Sequence, residues 1–307
     1  MTPASALSAA GRDSASFARW RRERQQQVEH ALAQWVPADA PAGLGEAMRY
    51  AVLDGGKRLR PLLVLAACEA VQGQETAALR AGCAVELIHA YSLVHDDMPC
   101  MDNDVLRRGK PTVHVQFGQA RALLVGDALQ ALAFELLLPA DGCVPDALAA
   151  SLCRQLARAA GADGMAGGQA VDLASVGLTL DLPALEAMHR RKTGALLQAS
   201  VLMGASTGEA PAEALAQLRV YGASLGLAFQ VVDDVLDVTA DSATLGKTAG
   251  KDAQADKPTF VSLMGLTAAQ AYADRVLDQA HEALHRSGLL HTGTLHALAD
   301  WVGRRAN

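Results

Sequence analysis

Two clusters of aspartates are the residues of this chain whose type and spacing could do chemistry. The segment HDDMPCMDND contains Asp96, Asp97 and Asp102, and the segment DDVLD contains Asp233 and Asp237. Carboxylates this close raise one another's pKa unless a cation lies between them. Oxygen ligands without Cys or paired His favour a hard cation, and magnesium combines one or two carboxylates with water and substrate phosphates. The clusters therefore predict magnesium and a phosphorylated substrate.

The positions of the two clusters along the chain support this interpretation. Pro99 should end or kink the preceding helix and fold Asp102 back toward Asp96. Asp233 and Asp237 are four residues apart, so on a helix they share one face. Either cluster alone could equally be a solvated helix end. Two clusters that each end an apolar segment are much harder to explain as surface decoration.

Basic residues lie close to these acids in the sequence. The segment GGKRLRP places Lys57 and Arg60 in a glycine turn at the start of a helix, where backbone N–H groups favour phosphate. Arg107 and Arg108 directly follow the first cluster. A single Lys or Arg is usually a solvated surface charge. The neighbours of Arg107 and Arg108, however, would have to be those acids or an anion that a metal bridges to them.

Two further candidates carry a weaker signal. His89 lies seven residues before Asp96, which is two helical turns, so the two side chains share a helix face. A site role and a partly buried core position are both open for this histidine. Gln169 and Asp172 are three residues apart after two glycines, and helix packing is the preferred interpretation of that pair.

The elements that must position these residues are helices. Apolar residues recur with helical periodicity along most of the chain, and the segment 62–70 is apolar almost all round, which predicts a central helix. No segment alternates as a strand would. The polar stretch 240–259 is long enough to be a lid, a binding loop or disordered. We predict one all-α domain over residues 1–307, with residues 1–16 disordered.

Composition excludes several classes of protein. Half of the 307 residues are hydrophobic and 20% are charged, so the chain is not intrinsically disordered. A net charge of −6 argues against a nucleic-acid partner. No uninterrupted apolar run approaches the roughly 20 residues that span a bilayer, so we expect no integral membrane segment. Five scattered cysteines and no secretory signal predict reduced thiols in the cytoplasm.

Taken together, the motifs resemble those of the trans-isoprenyl diphosphate synthase family, most of all the short-chain bacterial farnesyl diphosphate synthases. From Gly55 to Phe260 they follow in the order GGKRLRP, HAYSLVHDDMPCMDNDVLRRGKPT, GDAL, GGQAVDL, KTGALL, FQVVDDVLDV and LGKTAGKDAQADKPTF. The resemblance implies a single large helical bundle around a central cavity, magnesium as cofactor and a homodimer. It also implies condensation of isopentenyl diphosphate with dimethylallyl and geranyl diphosphate to give farnesyl diphosphate.

The resemblance also implies a role for each matching residue. The magnesium ligands would be Asp96, Asp97, Asp102, Asp233 and Asp237. The contacts to the allylic diphosphate would be Arg107, Lys192, Lys247 and Lys257. The contacts to the diphosphate of isopentenyl diphosphate would be Lys57, Arg60, His89 and Arg108. The catalytic groups near the developing cation would be Lys192, Thr193 and Gln230.

Product length depends on what closes the cavity below the first cluster. Tyr91 lies five residues before Asp96, where an aromatic side chain resembles the stopper of farnesyl-producing relatives, with core packing as the alternative. The segment CMDNDVLRRGKPT also resembles plant geranylgeranyl diphosphate synthases, so that product stays open. A terpene cyclase would not need Lys57, Arg60 and Arg108. A non-catalytic subunit of a prenyl synthase would be expected to lose ligands from one acidic cluster.

Overall fold

Helices form almost all of the structure, because apolar side chains at helical spacing dominate the sequence. The structure is a computed structural model that describes residues 3–53, 55–239 and 258–304, with side chains from residue 15 onward. The first helices are α1 (Pro3–Trp35), α2 (Leu44–Val52), α3 (Leu59–Ala70), α4 (Glu75–Asp96), α5 (Val113–Phe117), α6 (Gln119–Leu137) and α7 (Asp146–Ala160). The later helices are α8 (Met165–Ala174), α9 (Leu182–His189), α10 (Ala195–Ala205), α11 (Ala212–Thr239), α12 (Phe260–Met264), α13 (Leu266–Arg286) and α14 (Gly293–Gly303). The prediction of an all-α bundle is confirmed.

The core has two halves that meet at α3. In one half, α4 packs against α6, and in the other α11 packs against α13 and α10. Leu65 of α3 belongs to the first half, whereas its neighbours Leu62 and Leu63 belong to the second. Both halves of the core pack against α3, which accounts for the apolar residues almost all round this helix that the sequence predicted.

Two of these core helices would also satisfy a simple test for membrane spans. The helices α4 and α11 are long and apolar enough to cross a bilayer by length and composition. Inside the protein, however, 67% of the apolar stretch of α4 and 56% of that of α11 are buried. Their apolar character is therefore accounted for by packing against other helices.

A small β-hairpin, which the sequence analysis did not predict, follows the first acidic cluster. Strand β1 (Leu106–Arg107) pairs antiparallel with strand β2 (Lys110–Pro111). Arg108 and Gly109 form the turn with φ of 53° and 76°, the positive values that a two-residue type I′ hairpin requires. Strands of two residues are too short to show alternation in the sequence. The hairpin brings Arg107 back toward the acids.

Two other features differ in detail from the sequence expectations. Helix α1 begins at Pro3, so it includes most of the stretch 1–16 that we expected to be disordered. The segment expected to form one helix from 184 to 204 is interrupted by a π-turn (Arg190–Gly194) between α9 and α10. Residues 240–257 of the polar stretch 240–259 lie outside the described residues.

Candidate active site

The first acidic cluster folds back on itself at the end of α4. The backbone N–H of Asp102 donates to the carbonyl of Asp96 over 2.8 Å, and that of Asp104 donates to the carbonyl of Asp97 over 3.1 Å. Asn103 takes a left-handed conformation with φ of 51°, which lets the chain reverse. The predicted return of Asp102 to Asp96 after Pro99 is therefore present.

Within this cluster, Asp97 is engaged by a cation. The Nε of Arg107 donates to Oδ2 of Asp97 over 2.8 Å, and Nη2 donates to Oδ1 over 2.5 Å. Only 3% of Asp97 is exposed. Burial raises the pKa of this carboxyl, and the Arg107 guanidinium acts against the rise. Asp97 therefore holds Arg107 at the cluster through a bidentate ion pair.

Asp96 lines the cavity beside this ion pair. Burial raises its pKa to about 6; Asp102 and Asp97 add to the rise, whereas Lys192 and Arg107 oppose it. A divalent cation would relieve this repulsion. The carboxylate oxygens of Asp96 and its acidic neighbours are hard ligands that fit magnesium, which takes few carboxylates and completes its shell with water and phosphate oxygens.

A cavity of about 380 Å³ runs down from Asp96 between α4, α8 and the π-turn. Its polar end is lined by Arg60, His89, Asp96, Lys192 and Thr193. Its apolar part is lined by Tyr91, Leu93, Met101, Met165 and Leu173. The cavity therefore joins a charged mouth to an interior suited to a hydrocarbon chain.

The π-turn carries Lys192 and Thr193 into the cavity wall. A Cβ on Gly168 would lie 2.1 Å from the backbone nitrogen of Lys192, so only glycine lets α8 approach this turn. Nζ of Lys192 donates to Oδ2 of the buried Asp172 over 2.5 Å. Helix packing therefore explains the glycines, but Asp172 also holds a predicted site residue. The spacing Gly168–Asp172, one helical turn, was the available signal.

Gln169 occupies a different position from the one that the packing interpretation suggested. It lines the cavity, and both its amide nitrogen and its amide oxygen are buried without a hydrogen-bond partner among the described residues. A buried amide of this kind is costly unless something else satisfies it. This side chain therefore belongs with the cavity as well as with the helix contact.

The second acidic cluster lies near the end of α11, which is joined to the cavity residue Thr193 through Gln230. Thr193 Oγ1 donates to Oε1 of Gln230 over 3.0 Å, and Nε2 of Gln230 donates to Oδ1 of Asp234 over 2.8 Å. The other oxygen of Asp234 accepts the backbone N–H of Phe260 over 2.9 Å. Asp237 is buried one turn beyond Asp233. The structure therefore brings Thr193 and Gln230 together and adds Asp234, which the sequence analysis had not assigned.

A cluster of cations lies beside the acids. Burial lowers the pKa of Arg60 to about 10; Glu86 and Asp233 oppose that change and Arg108 adds to it. Burial also takes the pKa of His89 well below its usual range, and Arg60 and Arg108 act in the same direction. Positive groups that disfavour one another in this way are suited to a bound anion.

The glycine turn explains how this cationic cluster is held. Arg58 is only 3% exposed and has a left-handed φ of 49°. Its Nε and Nη2 form a bidentate pair with Glu29 at 2.7 and 3.0 Å, and its Nη1 reaches Glu86 at 2.7 Å. Arg58 thus anchors the turn from inside, whereas Lys57 is exposed and Arg60 lines the cavity. The sequence analysis assigned no role to this residue.

The backbone conformation at Gly56 also favours glycine. Its φ is 128°, and a Cβ there would lie 2.9 Å from Nη1 of Arg108, which itself donates to the Gly55 carbonyl over 2.5 Å. The hairpin and the glycine turn are therefore in contact, so the structure brings Arg108 to the other predicted cations. Lys247 and Lys257 lie outside the described residues.

Tyr91 lines the cavity. Its ring meets that of His95 edge-on, with centroids 5.8 Å apart. His95 Nε2 is 3.1 Å from the Leu123 carbonyl, and a Cβ on Gly126 would lie 1.9 Å from the same nitrogen. Glycine at 126 thus lets His95 pack behind the tyrosine.

Comparisons with known proteins agree with this geometry. The model of the polyprenyl synthetase family matches residues 41–288. The chain is 52% identical over 273 residues to a probable farnesyl diphosphate synthase of Bradyrhizobium diazoefficiens, covering 86% of this chain and 81% of that one. It is 47% identical over 283 residues to geranylgeranyl pyrophosphate synthase 7 of Arabidopsis thaliana, a chloroplastic protein, covering 91% and 81%.

A solved structure shares the fold as well. It is a geranyltransferase of Helicobacter pylori in complex with magnesium and isoprenyl diphosphate, with a TM-score of 0.84 and 34% identity. The match covers 93% of this chain and 97% of that one. Family match, identity and fold agree over most of the length. The chain therefore belongs to the polyprenyl synthetase family and is a trans-isoprenyl diphosphate synthase.

Proposed function

We propose that this prenyltransferase condenses isopentenyl diphosphate with dimethylallyl and then geranyl diphosphate to give farnesyl diphosphate. The observation that carries the proposal is that acids and cations of two kinds lie close together: Asp96 and Lys192 line the same cavity as Arg60 and His89. The acids with Lys192 and Arg107 suit one diphosphate, and the cations Arg60, His89 and Arg108, together with Lys57, suit a second. A terpene cyclase would need only the first of these two groups.

The acids fit a magnesium site from both walls. Asp96 and Asp102 on one side, and Asp233 and Asp237 on the other, would hold the metal. Magnesium, when bound, supplies positive charge that stabilises the diphosphate as a leaving group. The Helicobacter pylori relative binds magnesium together with isoprenyl diphosphate, which supports the choice of metal. We propose that Asp97 acts on Arg107 rather than as a main ligand.

The cationic side chains bind and orient the allylic diphosphate. Lys192 and Arg107 are each held by a buried carboxylate, Asp172 and Asp97, so both are positioned before substrate arrives. Lys247 and Lys257 are proposed contacts by resemblance to the family. When the allylic C–O bond breaks, its electron pair leaves with the diphosphate, and fixed cations stabilise that charge without reorganisation.

The carbocation that remains meets oxygen dipoles and apolar walls. Thr193 and Gln230 offer oxygen atoms to it, while Met165 and Leu173 exclude water that would capture it. The double bond of isopentenyl diphosphate forms the new C–C bond. A proton then leaves the adjacent carbon to the departed diphosphate, since no side-chain base stands out in the cavity.

Product length is the finer part of the proposal. Tyr91 is a rigid ring that packs edge-on against His95, which favours farnesyl diphosphate as the end product. Geranylgeranyl diphosphate is the second candidate, because the Arabidopsis thaliana relative carries that name at 47% identity. The two candidates differ by one more condensation in the same cavity.

We also propose a homodimer in the cytoplasm. The outer face of α6 exposes 48% of Leu123 and 55% of Leu124, beside Val115 of α5. A second copy of the chain would cover this face, while the inner face of α6 packs against α4, the helix that carries the first acids. The five cysteines are all unpaired, as expected in a reducing compartment.

A product assay tests the proposed function. The purified chain receives isopentenyl diphosphate with dimethylallyl or geranyl diphosphate, with magnesium or with excess chelator, and the dephosphorylated products are sized. Magnesium-dependent farnesol supports the whole proposal. Magnesium-dependent geranylgeraniol would support the same condensation reaction but with geranylgeranyl diphosphate as the product. Absence of condensation by the folded chain would contradict the proposal and point to a cyclase or a non-catalytic subunit.

A further inference from the structure

We propose that Asp234 is a positioning residue that sets the direction of the Thr193–Gln230 dipoles and ties them to the first turn of α12. This inference rests on the proposed function for its catalytic consequence. It separates Asp234 from its neighbours Asp233 and Asp237, which are proposed magnesium ligands.

Among the described residues, each oxygen of this carboxylate accepts a hydrogen bond. Oδ1 accepts from Nε2 of Gln230 over 2.8 Å, and Oδ2 accepts from the backbone N–H of Phe260 over 2.9 Å. Only 3% of Asp234 is exposed, and Phe260 is fully buried. The bond to Gln230 is partly buried and the bond to Phe260 is made in the protein interior, where leaving such a donor without an acceptor is costly.

A carboxylate at this position determines which way the Gln230 amide points. An ionised carboxylate only accepts hydrogen bonds, whereas a glutamine amide has a donor end and an acceptor end. The NH₂ group of Gln230 must therefore face Asp234, and its oxygen must face Thr193. An asparagine at 234 would bring its own NH₂ group toward one of the two donors and remove this constraint.

The direction of the amide then fixes the hydroxyl of Thr193. Thr193 Oγ1 donates its hydrogen to Oε1 of Gln230 over 3.0 Å, so this hydrogen points toward α11. The side chain of Thr193 lines the cavity, and its remaining oxygen lone pairs are available there. If the Gln230 amide were reversed, an NH₂ group would face Thr193 and the hydroxyl hydrogen could turn toward the cavity. A developing carbocation would then meet a positive dipole end instead of a negative one.

The same carboxylate holds α12 in place. Phe260 is the first residue of α12, and its ring lies 5.4 Å from that of His189, the last residue of α9 before the π-turn. The contact from Asp234 to the Phe260 N–H therefore connects α11 to α12, which packs against the end of α9 just before Lys192 and Thr193. Asp234 thus contacts Gln230 directly and reaches the Thr193 side through Phe260.

The first arm of the test needs no substrate. Hydrogen exchange of the Phe260 amide is measured in the metal-free chain, with chelator present. We expect slow exchange in the wild type and faster exchange in Asp234→Ala, which removes the acceptor. In Asp234→Asn the asparagine oxygen can still accept the Phe260 N–H while its NH₂ donates to a reversed Gln230 amide, so protection should be kept. In the double variant Gln230→Glu with Asp234→Asn, the introduced asparagine amide donates its NH₂ to the introduced glutamate carboxylate, and its oxygen accepts the Phe260 N–H, so protection should also be kept. Unchanged exchange in Asp234→Ala would contradict the contact.

The second arm measures kinetics with Asp233→Asn as the matched control. We expect Asp234→Asn to lower kcat by about tenfold or more, in line with the loss of an oriented dipole. The magnesium concentration for half-maximal activity should stay unchanged, whereas Asp233→Asn should raise it. The double variant should recover part of kcat.

Three results would overturn the inference. They are a raised magnesium requirement in Asp234→Asn, a wild-type kcat in Asp234→Asn, and a double variant that keeps exchange protection without any recovery of kcat. A wild type without prenyl transfer would instead contradict the proposed function, because the exchange arm does not depend on activity.

Discussion

The two acidic clusters look alike in sequence but are built differently. In the first, helix α4 ends at Asp96, and the side chain of Asp97 pairs with the cation Arg107. In the second, α11 continues through the cluster, and among the described residues Asp234 accepts from a neutral amide and a backbone N–H. A diphosphate could compete for Arg107, whereas these two described partners of Asp234 belong to the helices α11 and α12. We therefore expect the second aspartate of each pair to act on a neighbouring group rather than on the cavity.

The largest expected effect would come from the aspartates that face the cavity. Asp96→Asn should lower kcat by about 10³-fold, because several kcal/mol of charge stabilisation at the leaving group would be lost. Asp104→Asn, on the same loop, is the control and should retain most activity. Steady-state kinetics over a range of magnesium concentrations would check this. If Asp96→Asn and Asp104→Asn lowered kcat equally, the distinction between the acid that lines the cavity and its neighbour on the loop would be wrong.

The next effect concerns the cavity that both clusters share. Tyr91→Ala should raise the ratio of geranylgeraniol to farnesol by about tenfold, because removal of the ring would deepen the cavity. Pockets discriminate between chain lengths by a factor of this order. Product sizing by chromatography would measure the ratio. Ser92→Ala, which also lies on the cavity without a large side chain, is the control. An unchanged profile in Tyr91→Ala would contradict the stopper role.

A smaller effect should separate Asp97 from Asp102 in the absence of metal. Asp97→Asn should lower the free energy of unfolding by about 1–3 kcal/mol, because Arg107 would lose its ionic partner. Asp102→Asn should not lower it, since Asp102 adds to the repulsion at Asp96. Urea unfolding with chelator present would compare them. A loss in Asp102→Asn as large as that in Asp97→Asn would contradict the assignment.

The smallest effect is a pH dependence near the second cluster. Burial lowers the pKa of His189 to about 4; Asp172 opposes that shift and Lys192 adds to it. An unfolded histidine titrates near pH 6.5, so the unfolded chain binds the proton first and stability is lost as pH falls from about 6.5 toward 4. Between pH 7 and 5 the wild type should lose about 1–2 kcal/mol more than His189→Gln in urea unfolding. If the free energies of unfolding of the wild type and His189→Gln changed with pH in parallel, a contribution from His189 would be excluded.

The sequence predicted what depends on local pattern. Helical periodicity predicted the helices, Pro99 predicted the turn after α4, and the four-residue spacing of Asp233 and Asp237 predicted that they share one helix face. Asp172 and Asp234 were not assigned because their partners, Lys192 and Phe260, lie 20 and 26 residues away. Nothing in single-sequence periodicity reports a contact over that distance.

Two further features escaped prediction for other physical reasons. Arg58 looks like any cation of the GGKRLRP segment, and only burial against Glu29 and Glu86 distinguishes it from Lys57 and Arg60. The π-turn leaves hydrophobic spacing almost unchanged, so the segment 184–204 predicted one helix. The role of Tyr91 could be proposed from its spacing to Asp96, but its support from His95 over Gly126 needed the structure.

The π-turn has a consequence for how this wall of the cavity tolerates changes in chain length. A π-turn accommodates one residue more than an α-helical turn does. Deleting Arg191, which is exposed, would let α9 and α10 join as one regular helix without unfolding either of them. Because the wider turn absorbs the extra residue, the two helices would keep their facing, and only the bulge that carries Lys192 and Thr193 into the cavity wall would be lost. A single lost codon would thus leave a folded bundle in which Lys192 and Thr193 no longer both reach Asp172 and Gln230.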